Sequence, residues 1–256
     1  MRVASDDAEA LFDPTDGGRM VSFKVHGAEL LVRPGTGAFD WGSFLVAPWA
    51  GRLRNGRLAF DGVEHQLPTN AGPHALHGLV TGRAWSVVGP GEMAVDLPSP
   101  WPWRGRVRQR IIVGRGRAEF VAELEVDEPM PATLGWHPWF RRVVDGAQGE
   151  LVLDAEPALM WADGPDGVPS GELTAPAERP WDYCFRNLAK PPTLRWPGLV
   201  ELVVDSDSDD WVLHERDAAG ICVEPWSGPP NEPNLPHPTI AVPGHPLRVT
   251  MRWTWN

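Results

Sequence analysis

The sequence predicts an all-β fold, a large antiparallel β-sandwich with short helical connectors only. Three observations predict it. Apolar and polar residues alternate with period two along much of the chain, and no window of a dozen residues shows helical periodicity free of Pro and Gly. The 27 glycines and 28 prolines among 256 residues are also far too many for long helices. Packing two antiparallel sheets face to face is the simplest way to bury so many half-apolar strands. With 42% hydrophobic residues, a chain of this length is expected to form one domain over residues 1–256.

Taken in order, Arg57 to Phe60, Asp61-Gly62 and Val63 to Leu67 read as a hairpin, because Asp-Gly supplies the positive φ angles of a two-residue turn. A second pair runs from Arg106 to Val113, turns through Gly114-Arg115-Gly116 and returns as Ala118 to Val126. Phe120, Ala122, Leu124 and Val126 share one face of it, and Glu119, Glu123 and Glu125 the other. Trp211 to Glu215 and Ile221 to Glu224 form a third pair through Asp217-Ala218-Ala219-Gly220. Leu247 to Thr254 alternates without a break and reads as a strand with one wet face. Aromatic and apolar residues interleave the prolines between Pro225 and Pro246, which predicts ordered loops there.

Charge and composition exclude several function classes. With 34 acidic against 23 basic side chains the net charge is −11, which opposes nucleic-acid binding and docking on an anionic membrane, since both need a cationic surface. Lysine chemistry could rest only on Lys24 or Lys190. Two cysteines, the lack of an apolar run long enough to span a bilayer, and a start without a signal-type apolar region predict a reduced, cytoplasmic protein. The pattern fixes no oligomeric state. Phosphate-binding glycine loops, a serine-hydrolase elbow and a His-Glu-x-x-His motif are all missing from the sequence. His74 and His77 could be half of a metal site, but no third ligand lies near them in sequence, so neither a metal nor a cofactor is expected.

Three segments set titratable residues among rigid apolar neighbours. They are Pro48 to Gly56 with Asn70 to Gly78, Leu134 to Phe140, and Cys222 to Pro230. His137 and Glu224 each directly precede a proline, which biases their backbone to extended geometry. Both are expected at strand ends, presented to a cleft. Singly, a His beside Trp is more often a core residue, and such a Glu a solvated carboxylate. The 14 tryptophans serve either as core anchors or as flat platforms under a sugar ring.

In this order the segments resemble the aldose 1-epimerase (galactose mutarotase) family, from about Trp41 to Trp226. Pro48-Trp49-Ala50-Gly51-Arg52-Leu53-Arg54-Asn55-Gly56 resembles the family's Pro-x-Ala-x-Arg-Ile-x-x-Gly run, and Leu76-His77-Gly78 its Leu-His-Gly signature. Gly135 to Phe140 is similar to the segment of the catalytic acid histidine, Trp181 to Phe185 to that of a sugar-binding aspartate, and Val223-Glu224-Pro225 to that of the catalytic base. The resemblance implies a galactose mutarotase-like sandwich that binds a free aldose on its concave face, without metal or cofactor. By it Glu224 is the base, His137 the acid on the other side of the hemiacetal, and Arg52, His77 and Asp182 hold the sugar. Mutarotation needs only these two groups, one to take the anomeric hydroxyl proton and one to protonate the ring oxygen. Leu79 stands where many members have a second glycine, and Tyr183 where they have a histidine, which leaves the preferred sugar open. Arg54, expected to share a strand face with Arg52, and Arg83 leave room for a phosphorylated or acidic sugar. A hexose-phosphate epimerase and a non-catalytic carbohydrate-binding protein are therefore the alternatives. A glycosidase using Asp182 and Glu224 as paired carboxylates is a further one.

Overall fold

The computed structural model describes residues 1–34 and 37–256. Two large antiparallel sheets dominate it. The larger has eleven strands, running in space Arg2–Ala4, Ala8–Asp13, Arg19–Val25, Ser43–Val46, Gly135–Arg141, Gly220–Trp226, Asp210–His214, Asp182–Leu188, Pro157–Asp163 and Pro169–Thr174, with Ala28–Glu29 paired to Arg19–Val25. The eight-stranded sheet runs Ser86–Gly89, Glu92–Asp96, Gly105–Gly114, Arg117–Val126, Leu247–Trp255, Val200–Ser206, Thr193–Trp196 and Val152–Asp154. Among the described residues the helical elements are two single 3-10 turns, Arg54–Gly56 and Glu232–Asn234. None is long and apolar enough to cross a membrane.

The expected hairpins form. Arg57–Phe60 pairs with Val63–Gln66 across Asp61 (φ 49°) and Gly62 (φ 75°), the two positive φ angles that the Asp-Gly turn requires. Gly105–Gly114 pairs with Arg117–Val126 along its whole length, and Asp210–His214 with Gly220–Trp226. Leu247–Trp255 lies between Arg117–Val126 and Val200–Ser206 in the middle of its sheet. Its alternation holds, with Val249, Met251, Trp253 and Trp255 buried and Arg248, Arg252 and Thr254 turned to solvent. Thr250 departs from it and is buried, its N–H donating to Asp207 Oδ1 at 2.7 Å.

Side-chain alternation divides each inner strand of the larger sheet between two apolar clusters. Trp136, Phe140, Ile221 and Val223 face inward and join Phe120, Leu124, Met251 and Trp253 of the other sheet in the main core. Edge-to-face and tilted rings bridge the layers, as in Phe23–Trp253 (4.8 Å between centroids), Phe140–Trp253 (5.1 Å) and Phe120–Trp136 (5.9 Å). The opposite faces of the same strands carry Phe44, Val46, Trp139, Cys222 and Trp226, a second and smaller cluster. His137 and Glu224 lie on that outer face.

Neither residue is at a strand end as expected. His137 is inside Gly135–Arg141 and Glu224 inside Gly220–Trp226, so Pro138 and Pro225 are strand residues too. Proline cannot donate to a ladder, and the pairing between these two strands breaks where the prolines fall. Gly135 faces Trp226 and Trp139 faces Cys222, with no ladder pair between them. Each proline keeps its strand through its other neighbour, Pro138 against Ser43 and Pro225 against Trp211.

Candidate active site

The register just described sets His137 directly opposite Glu224. Their side chains meet on the outer face, His137 Nε2 lying 3.4 Å from Glu224 Oε2, and both are almost fully buried. The two stand side by side on adjacent strands. Phe44 stacks on the His137 ring at 4.6 Å between centroids and an interplanar angle of 22°, and the Trp139 ring lies near-parallel to it at 5.6 Å and 19°. The imidazole orientation is thus fixed by packing.

Burial pushes Glu224 well above the ordinary carboxylate range, with a smaller push from Asp182. Burial likewise pushes His137 well down, helped by His77, His214 and Arg19. Both shifts favour the uncharged forms, so the pair holds one proton between two groups in contact.

His77 arrives from a different part of the chain. Arg52–Leu53 and Ala75–Leu76 make a short two-stranded ribbon, Arg52 opposite Leu76. The chain then turns at His77 (φ 60°) and Gly78 (φ 73°), with the His77 N–H donating to the Gly51 carbonyl at 3.0 Å. A Cβ at Gly78 would lie 1.9 Å from the Ala47 carbonyl oxygen, which gives the Leu-His-Gly signature a steric reason. The His77 ring meets His137 edge-on at 4.9 Å. Burial, and then the Arg52 charge, depress its pKa to about 3, so it is a neutral imidazole at neutral pH. The ribbon is anchored to the loop beyond Glu224 by the Arg54 N–H, which donates to Asn231 Oδ1 at 3.1 Å.

Asp182 begins the strand Asp182–Leu188 and pairs in register with His214. His214 Nδ1 lies 2.9 Å from Asp182 Oδ1, and this hydrogen bond, ahead of the Arg216 and Arg52 charges, holds the Asp182 carboxyl below its usual range. Arg52 is exposed and has no ion-pair partner among the described residues. All five residues singled out from the sequence line one cleft of about 560 Å³.

Arg54 and Arg83 do not share it. Arg54 belongs to a 3-10 turn, not a strand, and its guanidinium is spent on Asp166 (2.6 Å) and the Val168 carbonyl (3.0 Å). Arg83 is an exposed loop residue elsewhere. His74 does not join His77, since its Nδ1 accepts the Asn55 N–H at 3.2 Å. Sequence reasoning missed His214, Asp163, Arg216 and the stacking residue Phe44, all at or beside the cleft. A signal existed for His214: with Trp211 and Leu213 assigned to the core, period two puts Val212 and His214 on the site face.

The sequence model of the aldose 1-epimerase family matches residues 13–227, a span that contains all five of these residues. The chain belongs to the aldose 1-epimerase family. Solved structures share its galactose mutarotase-like fold along its full length. A putative aldose 1-epimerase from Escherichia coli K12 superposes with a TM-score of 0.85 at 18% identity, covering 100% of this chain and 98% of its own. A galactose mutarotase-like protein from Clostridium acetobutylicum gives 0.84 at 16% identity, covering 100% and 94%. The galactose 1-epimerase from Lactobacillus acidophilus gives 0.80 at 14%, covering 100% and 93%. No curated protein sequence matches the chain significantly.

Proposed function

We propose that this member of the family interconverts the α and β anomers of a free hexose, with Glu224 as base and His137 as acid. The observation that carries the reading is the contact between a buried carboxyl and a buried imidazole on the floor of a polar-rimmed cleft. The anomeric hydroxyl oxygen and the ring oxygen are both bonded to the anomeric carbon, so their acid and base must be near neighbours. In the reactive arrangement the shared proton sits on His137. Glu224 takes the anomeric hydroxyl proton while His137 protonates the ring oxygen, and the bond from that oxygen to the anomeric carbon breaks to give the open-chain aldehyde. Rotation of the aldehyde offers its other face, and ring closure returns each proton along the same path. No net proton is consumed, which suits a pair that holds one proton in common.

Arg52, His77 and Asp182 orient the sugar. His214 holds Asp182 as an acceptor for hydroxyls, and His77, neutral, can offer a ring hydrogen bond. An Asp182 carboxyl held below its usual range by its hydrogen bond to His214 is poorly suited to be the proton donor of a glycosidase, which disfavours that reading. A hexose phosphate is the second reading, because Arg52 and Arg216 both reach the cleft without a carboxylate ion pair among the described residues. Asp163 and Asp182 share the same rim and oppose an anion, which favours the free sugar.

Polarimetry or proton NMR of freshly dissolved α-glucose and α-galactose tests the reading. The protein should speed anomer equilibration, and Glu224→Gln should slow it by about 10²- to 10⁴-fold while sugar binding persists. Full activity in Glu224→Gln overturns the assignment. Binding without acceleration in the parent protein supports a carbohydrate-binding role, and acceleration confined to sugar phosphates supports the second reading.

A further inference from the structure

Cys222 lies two residues before Glu224 on the same strand, and so on the same outer face. One ligand atom from each of His137, Cys222 and Glu224 falls within 4.8 Å of the others, and these three are the only such grouping among the described residues. One donor in it, Glu224 Oε2, lacks a hydrogen-bond partner although fully enclosed. A buried oxygen left without a donor is costly, and it is a ready ligand for a cation.

We infer that His137, Cys222 and Glu224 form a binding site for one thiophilic divalent cation such as zinc, whose occupancy takes the acid/base pair out of use. A nitrogen, a sulfur and an oxygen are the donor set that zinc accepts, with the fourth tetrahedral position left to water or a sugar hydroxyl. Ligands about 2.1 Å from zinc in a tetrahedron stand about 3.4 Å apart. His137 Nε2 and Glu224 Oε2 already have that separation, at 3.4 Å, and the Cys222 sulfur lies within 4.8 Å of both. One thiolate and one carboxylate balance the charge of the dication. Binding expels the Cys222 thiol proton, together with any proton that Glu224 carries, to solvent. The site is distinct from the pair of histidines at 74 and 77 weighed from the sequence. It arises only because the sheet register sets Cys222 and Glu224 beside His137.

The binding claim does not depend on the epimerase reading, and only the inhibition does. Titration with cadmium chloride, followed by ultraviolet absorbance, tests binding directly through the thiolate-to-cadmium charge-transfer band. One equivalent should saturate the band, and zinc chloride should displace it. Cys222→Ser should abolish it, Glu224→Gln should weaken cadmium binding at least about tenfold, and Cys184→Ser, which changes the other cysteine, should leave it intact. If Cys222→Ser fails to fold, the Glu224→Gln and Cys184→Ser arms decide alone. A band that survives Cys222→Ser or vanishes in Cys184→Ser, unweakened binding in Glu224→Gln, or no saturable band in the parent protein overturns the proposal. Where anomer exchange is measurable, zinc should slow it competitively with sugar, and Cys222→Ser should resist the metal. Undiminished inhibition in that variant also overturns the proposal. An inactive parent that still shows the band would count against the epimerase reading and leave the cation site standing.

Discussion

Gly78 shows how a single residue fixes the site. It has φ +73°, and its Cα lies so close to Ala47 that any side chain would strike the carbonyl there. Gly78→Ala therefore adds a left-handed strain to an overlap with rigid backbone, and should cost about 2–4 kcal/mol of stability. His77 would be displaced with it. Chemical denaturation and sugar affinity measured on the same variant check both consequences, and a variant as stable as the parent would refute the steric account. His137, Glu224, Arg52, His77 and Asp182 were legible because each lies in a run that resembles a segment of the aldose 1-epimerase family. His214 and Cys222 were not, because what makes them matter is which residue the sheet sets beside them. That information is non-local. Arg54 misled for a related reason, since period two applied to a segment that instead turns and finds Asp166 far along the chain.

Among the elements, hairpins closed by short turns were plain from alternation and turn chemistry, as for Arg57–Phe60 with Val63–Gln66 and Gly105–Gly114 with Arg117–Val126. Proline was misleading in the central strands. Pro138 and Pro225 suggest strand ends by propensity, yet the strands continue because the gap in hydrogen bonding falls between the two prolines themselves. The strand Leu247–Trp255 separates burial from surface charge within one element. Trp253 is fully buried against Phe23, Phe120 and Phe140, whereas Arg252 pairs at the surface with Glu119 (3.2 Å) and Asp205 (3.6 Å). Trp253→Ala should cost about 3–5 kcal/mol, and Arg252→Ala less than about 1 kcal/mol. Urea midpoints with unchanged slopes would show it, and similar losses for the two would contradict the two-layer packing.

On the scale of the whole molecule, burial of neutral imidazoles makes stability depend on pH. His77 takes a proton near its ordinary 6.5 when unfolded but only at about 3 when folded. Its contribution is complete above 6.5 and is lost as pH falls towards 3, because the unfolded chain then binds a proton that the native state refuses. Asp210 acts in the opposite sense: burial raises it to about 6, so its contribution is lost as pH rises from 3.8 through 6. Comparing parent and His77→Gln isolates the imidazole. Between pH 6 and pH 4 the parent's unfolding free energy should fall more steeply, by up to about 1.4 kcal/mol per pH unit. Parallel curves would mean that His77 is protonated in the native protein.

The proposed acid and base, His137 and Glu224, have no partner near them in sequence. They meet only when Gly135–Arg141 and Gly220–Trp226 lie side by side, and His77 joins them from a ribbon formed much earlier in the chain. During refolding, tryptophan burial can run ahead through local hairpins, while the anomer exchange proposed for this site requires that central crossing to have formed. The proposed activity would then serve as a clock for topological closure, reading this long-range pairing rather than the collapse that precedes it.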